Sequence, residues 1–106
     1  MADATSSITL EFHGALADRF LALGHRRGTR TRVDVPLRSS RTVADLLGHL
    51  IDMDERYHHL FDATKRSLPE HVEVVLNDRV LDLQGGLSAH LKGGDVLAFL
   101  PAHAGG

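Results

Sequence analysis

Residues 8–13, "ITLEFH", alternate: Ile8, Leu10 and Phe12 fall on one face, Thr9, Glu11 and His13 on the other. A period of two over β-branched and aromatic residues predicts a half-buried strand. A short helical turn is predicted in "ALADRFLALG", ending at Gly24. The arginine-rich stretch "HRRGTRTR" follows, with a turn glycine at Gly28. Alternation returns in "TRVDVPL", where Val33, Val35 and Leu37 oppose Arg32, Asp34 and Pro36. Proline has no N–H to donate, so this second strand ends at Pro36 or lies at an edge.

The period then changes. In "RTVADLLGHLIDM", Val43, Leu46, Leu47, Leu50 and Ile51 recur at helical spacing and form one apolar stripe. Thr42 is suited to cap the helix, with Asp45 three residues on to complete a capping box and meet the positive end of the dipole. The polar segment "DERYHHLFDATKRSLPEH" carries a second helical turn with Tyr57, Leu60 and Phe61, ended by Pro69. "VEVVLNDRVLDL" is a hairpin whose Asn77-Asp78 pair tolerates the positive φ of a tight turn. A loop with two glycine pairs leads to the last strand, "DVLAFLP". The predicted fold is α+β: a mixed sheet in β-β-α-β-β order, with one main helix packed on one face. That is a β-grasp arrangement.

Composition narrows the function. A chain of 106 residues, 42% apolar and 25% charged, is one globular domain, residues 1–106. The formal charge of −2 does not suggest a nucleic-acid or membrane-surface binder. With no cysteine there is no disulfide, thiolate metal site or cysteine nucleophile. No apolar run reaches a membrane span and the start lacks signal-peptide character, so a cytoplasmic protein is expected. The eight histidines are not spaced as a ligand set, and no metal is expected. The Arg26–Arg32 cluster reads as a solvated hairpin loop. Ser88, His90 and Asp95 share a loop without a nucleophile elbow around them.

The chain stops on "FLPAHAGG". Residues 72–106, with the Asn-Asp hairpin, the Gly-Asp turn and the Gly-Gly end, resemble the MoaD/ThiS sulfur-carrier proteins of ubiquitin-like β-grasp fold. Upstream, the strand-strand-helix order and "FHGALAD" agree with the resemblance. The Arg-rich hairpin and residues 52–71 are insertions relative to the smallest members.

The resemblance implies a flexible tail at 101–106 whose Gly106 carboxylate is adenylated by an E1-like adenylyltransferase of MoeB/ThiF type. A persulfide or rhodanese-type donor then makes the thiocarboxylate, which serves an acceptor enzyme such as the molybdopterin synthase large subunit. Gly106 is the covalent site. Gly105 keeps the approach clear, since glycine lets backbone come close in any φ. The carrier binds no cofactor itself, ATP being used by its partner, and is not an enzyme alone. Val75, Ala98, Leu100 and His13 are expected on the sheet's outer face as the partner-docking surface. Molybdopterin biosynthesis is the leading pathway. Carriers for cysteine, thiamine or a secondary metabolite, a ubiquitin-like modifier, and an interaction domain with an unused tail are the alternatives.

Overall fold

The computed structural model describes residues 6–62 and 67–102. Strands β1 (Ser7–His13), β2 (His25–Arg27), β3 (Arg30–Pro36), β4 (Val72–Leu76), β5 (Arg79–Val80) and β6 (Val96–Pro101) form a six-stranded sheet in the order β2-β3-β1-β6-β4-β5. All neighbours are antiparallel except β1 and β6, which run parallel at the centre. Helix α2 (Val43–Met53) covers one face, and the short α1 (Ala15–Arg19) lies against β1. The mixed sheet with one main helix is the α+β, β-grasp fold expected from the sequence.

The core forms where the inward positions of the central strands meet the helix stripe. Ile8, Leu10 and Phe12 of β1 and Leu97 and Phe99 of β6 are fully buried. Register sets Leu10 beside Leu97 and Phe12 beside Phe99. The Phe12 ring stacks on Phe20 at 4.0 Å between centroids and on Phe99 at 5.3 Å. Tyr57 completes the cluster 5.5 Å from Phe20, and burial pushes its hydroxyl pKa up to about 12. From α2, Val43, Leu46, Leu47 and Leu50 close the core.

Local chemistry starts and stops these elements as the sequence anticipates. Thr42 Oγ1 accepts the Asp45 N–H, and the Asp45 carboxylate accepts the Thr42 N–H, the reciprocal capping box. Backbone N–H groups of Arg41 and Thr42 hold the Asp45 carboxyl below its ordinary pKa. Asn77 and Asp78 both have positive φ, 50° and 70°, as a two-residue turn of the primed type requires.

Two features differ from the expected β-β-α-β-β plan, both at sheet edges. The arginine-rich stretch is a strand pair, not a loop: β2 folds back on β3 through Gly28, at φ +63°. The second arm of the Asn77-Asp78 hairpin is only two residues long. Leu81 must bury, which turns the chain into a 3₁₀ turn over Leu81–Gln84. The Gln84 amide donates to the Leu76 and Arg79 carbonyls there.

A polar knot around the buried Asp95 ties the hairpin to the central strands. Asp95 accepts from Asn77 Nδ2 (2.9 Å) and from the Lys92 N–H (2.9 Å), and Asn77 Oδ1 accepts the Val96 N–H (2.8 Å). Burial pushes the Asp95 carboxyl pKa up, but the Asn77 amide and the Lys92 N–H and ammonium outweigh it, so the net shift is downward. A depressed carboxyl contributes stability above its unfolded pKa of 3.8, and that stability is lost as pH falls through the lower folded value. Urea melts should therefore show Asp95 contributing fully above about pH 5 and progressively less below pH 4, with Asp95→Asn flattening this acid dependence. Truncating Phe99→Ala should cost about 3–5 kcal/mol in the same assay.

Candidate functional site

The sheet face opposite α2 is open, and strand alternation decides what it carries. From β4 and β6 come Glu73, Val75, Ala98 and Leu100, with Val75 paired to Ala98 and Glu73 to Leu100. On β1, Glu11 lies beside Ala98; one step past the Phe12–Phe99 pair, His13 and Leu100 emerge side by side. The four residues expected on this face, His13, Val75, Ala98 and Leu100, therefore do share it. Each is half-buried, not fully exposed. Val80, paired with Val75, extends the apolar strip and is 37% exposed. The sequence reading missed Val80, although a two-residue turn at Asn77-Asp78 sets it opposite Val75 by register alone.

The other half of the face is polar. Arg30 and Arg32 of β3 pair with His13 and Glu11 of β1, and β2 adds His25 and Arg27 beside them. Glu11 is 9% exposed although it lies on the solvent side of the sheet. Its Oε1 lies 3.4 Å from Arg30 Nη1 and 3.3 Å from His13 Nε2, and its Oε2 lies 3.1 Å from Arg32 Nη2. Two arginines thus satisfy a carboxylate that would otherwise be costly to desolvate. Depressions flank the cluster. One of about 440 Å³ is lined by Glu11, Arg27, Gly28, Arg30 and Arg32. The other, about 300 Å³, opens toward Val75 and Ala98. Arg26 points to the opposite side of the hairpin and forms an ion pair with Asp18 of α1.

The covalent-site candidates are reached through β6. That strand runs through Pro101, and the Ala102 N–H donates to the His71 carbonyl at 2.8 Å, so residues 101 and 102 are held by the sheet. Gly105 and Gly106 lie outside the described residues. Pro101 passes so close to Gly14 that a Cβ there would stand 3.0 Å from Pro101 Cγ, and Gly14 has a φ of +59° besides. The loop grouping Ser88, His90 and Asp95 is not assembled, because the Asp95 carboxylate is engaged by Asn77 and Lys92. The face offers complementarity of shape and charge: an apolar strip on one side, a cationic edge on the other.

Comparison with known proteins follows the same lines. The model of the ThiS family matches residues 25–106. No curated protein matches the chain in sequence. Among solved structures, the HVO 2177 protein of Haloferax volcanii is similar at TM-score 0.67 and 23% identity, covering 97% of this chain and 89% of that one. SAMP1 from Haloferax volcanii is similar at TM-score 0.63 and 26% identity, covering 94% and 99%. A chain of the Amycolatopsis orientalis BexX/CysO complex is similar at 0.62 and 24%, covering 92% and 99%.

Removing the buried carboxylate tests the polar half directly. Glu11→Ala leaves two arginines without their counter-ion, and should cost about 1–3 kcal/mol in urea denaturation, discounted for the partial exposure of Arg30 and Arg32.

Proposed function

The chain belongs to the ThiS family, and on that premise we propose that it is a sulfur carrier acting through the carboxylate of Gly106. The observation that carries the reading is the family match itself, which spans β3, the helix, the last strand and the Gly105-Gly106 end. The carboxylate attacks the α-phosphorus of ATP on a MoeB/ThiF-type adenylyltransferase and pyrophosphate leaves. The outer sulfur of a persulfide donor then attacks the carbonyl carbon and AMP departs, giving an acyl disulfide. A second thiol, from the donor or partner enzyme, attacks the donor sulfur and breaks the S–S bond. The two donor sulfurs become a disulfide, and the thiocarboxylate is released. The partner supplies the catalysis, and this chain supplies a docking face and a tail whose last two residues have no side chain to obstruct either attack. ATP-dependent activation suits a cytoplasmic protein.

The acceptor we favour is a molybdopterin-forming large subunit, on the Phe99-Leu100-Pro101 ending. A second reading is supported by the likeness to SAMP1, 26% identical over nearly the whole chain: conjugation of the same activated Gly106 to lysines of other proteins. Solved relatives of type 1, SAMP1 from Methanosarcina acetivorans among them, are called small archaeal modifier proteins.

Intact-mass spectrometry after incubation with ATP, the adenylyltransferase and a sulfur donor should show the gain of sulfur in place of oxygen. The gain should be sensitive to thiol alkylation, which separates it from oxidation of Met1 or Met53. A chain lacking Gly106 should show none, and Gly105→Leu should be adenylated at least roughly tenfold more slowly, because its side chain misplaces the carboxylate. Absence of any ATP-dependent gain in the folded protein refutes the carrier. Lysine adducts in place of free thiocarboxylate move the assignment to the modifier.

A further inference from the structure

Strand β2 does nothing for the core. All three of its residues are exposed, and the core is complete without them. What it does is widen the outer face by one strand and place Arg27 beside Arg30. The depression bounded by these residues holds three guanidinium groups and one carboxylate, in a molecule whose formal charge is −2.

The acceptors run out before the donors do. Both Glu11 oxygens are already engaged by Arg30, Arg32 and His13. Arg32 Nε is buried with no acceptor. The Arg27 side chain makes no hydrogen bond or ion pair among the described residues. The cationic edge is thus pre-formed, with Glu11 holding Arg30 and Arg32 in place, and its guanidinium donors outnumber the protein acceptors beside them.

Which anion is decided by the rest of the face. Single-stranded nucleic acid needs exposed aromatic rings to stack on. The chain has four Phe and one Tyr and no Trp, and Phe12, Phe20, Phe61, Phe99 and Tyr57 are all buried. Beside the arginines lies instead the apolar strip of Val75, Ala98 and Val80, the composition of a protein interface with a charged rim. We propose that the β2–β3 edge is a docking site for Asp and Glu side chains on the adenylyltransferase that activates this carrier, with Arg27 and Arg30 reading them. The proposal rests on the carrier reading above. It makes the arginine-rich hairpin a device for choosing and steering the partner, separate from the tail that reacts.

The test measures binding, not turnover, so that it does not depend on Gly106. The adenylyltransferase from the same organism is immobilised, and association and dissociation of the chain are followed by surface plasmon resonance. Arg27→Glu is exposed and unpartnered, so it should melt like the wild type. Its Kd should rise roughly tenfold at low salt, mainly through slower association, while Arg27→Lys stays near wild type. Arg30→Gln should weaken binding in the same direction. The difference should vanish near 1 M salt, where the screening length is about 3 Å.

Wild-type affinity for Arg27→Glu at low salt overturns the proposal, and so does failure of the wild type to bind at all. A single-stranded RNA oligonucleotide run alongside overturns it too, if Arg27→Glu abolishes RNA binding but leaves the enzyme affinity unchanged. Normal, Arg27-dependent docking without adenylation of Gly106 supports the basic edge and refutes only the carrier chemistry.

Discussion

The parallel pairing of β1 and β6 is the contact on which the rest of this molecule depends. It brings the first and last strands side by side, aligns Leu10 with Leu97 and Phe12 with Phe99, and so builds the stacked aromatic centre. Parallel neighbours cannot be joined by a tight turn. The whole of the intervening chain therefore serves as the crossover, and α2 lies within it. The helix stripe, the hairpins and the 3₁₀ turns all pack against a floor that this one pairing defines. The same alternation that sends Phe12 and Phe99 inward sends Glu11, His13, Ala98 and Leu100 outward. Core and docking face are two sides of one register.

On the outer face, two kinds of surface meet without mixing. Antiparallel growth from β6 through β4 to β5 adds Val75 and Val80, whereas growth from β1 through β3 to β2 adds arginines. Glu11 sits at the boundary, buried on a side of the sheet where carboxylates are ordinarily solvated, because Arg30 and Arg32 replace its water. In many sheets such a cluster would be structural and nothing more. Here it leaves guanidinium donors over, and it lies one strand from the residue pair that leads into the tail.

Much of this was legible in the residue pattern, and the reasons differ by element. β1 and β3 were readable because one face is buried, so that polarity alternates, and β4 and β6 because their short apolar, β-branched runs are bounded by turn residues. The capping box at Thr42 and Asp45 and the primed turn at Asn77-Asp78 were readable because local backbone chemistry admits few other residues. The β2 strand was not, since its three exposed residues have no apolar partner and hence no periodicity to detect. Glu11 read as an ordinary solvent-side acid. Its burial comes from Arg30 and Arg32, about twenty positions along the chain, a pairing visible only once the antiparallel register of β1 and β3 is known. The early end of β5 was hidden for a similar reason: Leu81 continues the apolar run of the hairpin but is claimed by the core.

The central place of β6 also governs when the molecule comes into being during synthesis. Until residues 96–101 have left the ribosome, β1 with its partners and β4 with its partner are two separate pieces of sheet with no strand between them. Contacts this distant in sequence form late, and the apolar edges that await them stay exposed meanwhile. A truncated chain would lack the central strand, the buried aromatic pair and the outward row of Ala98 and Leu100 together. Core and docking row therefore wait on the same strand: a chain able to present Ala98 and Leu100 is one in which β6 has already joined β1 to β4.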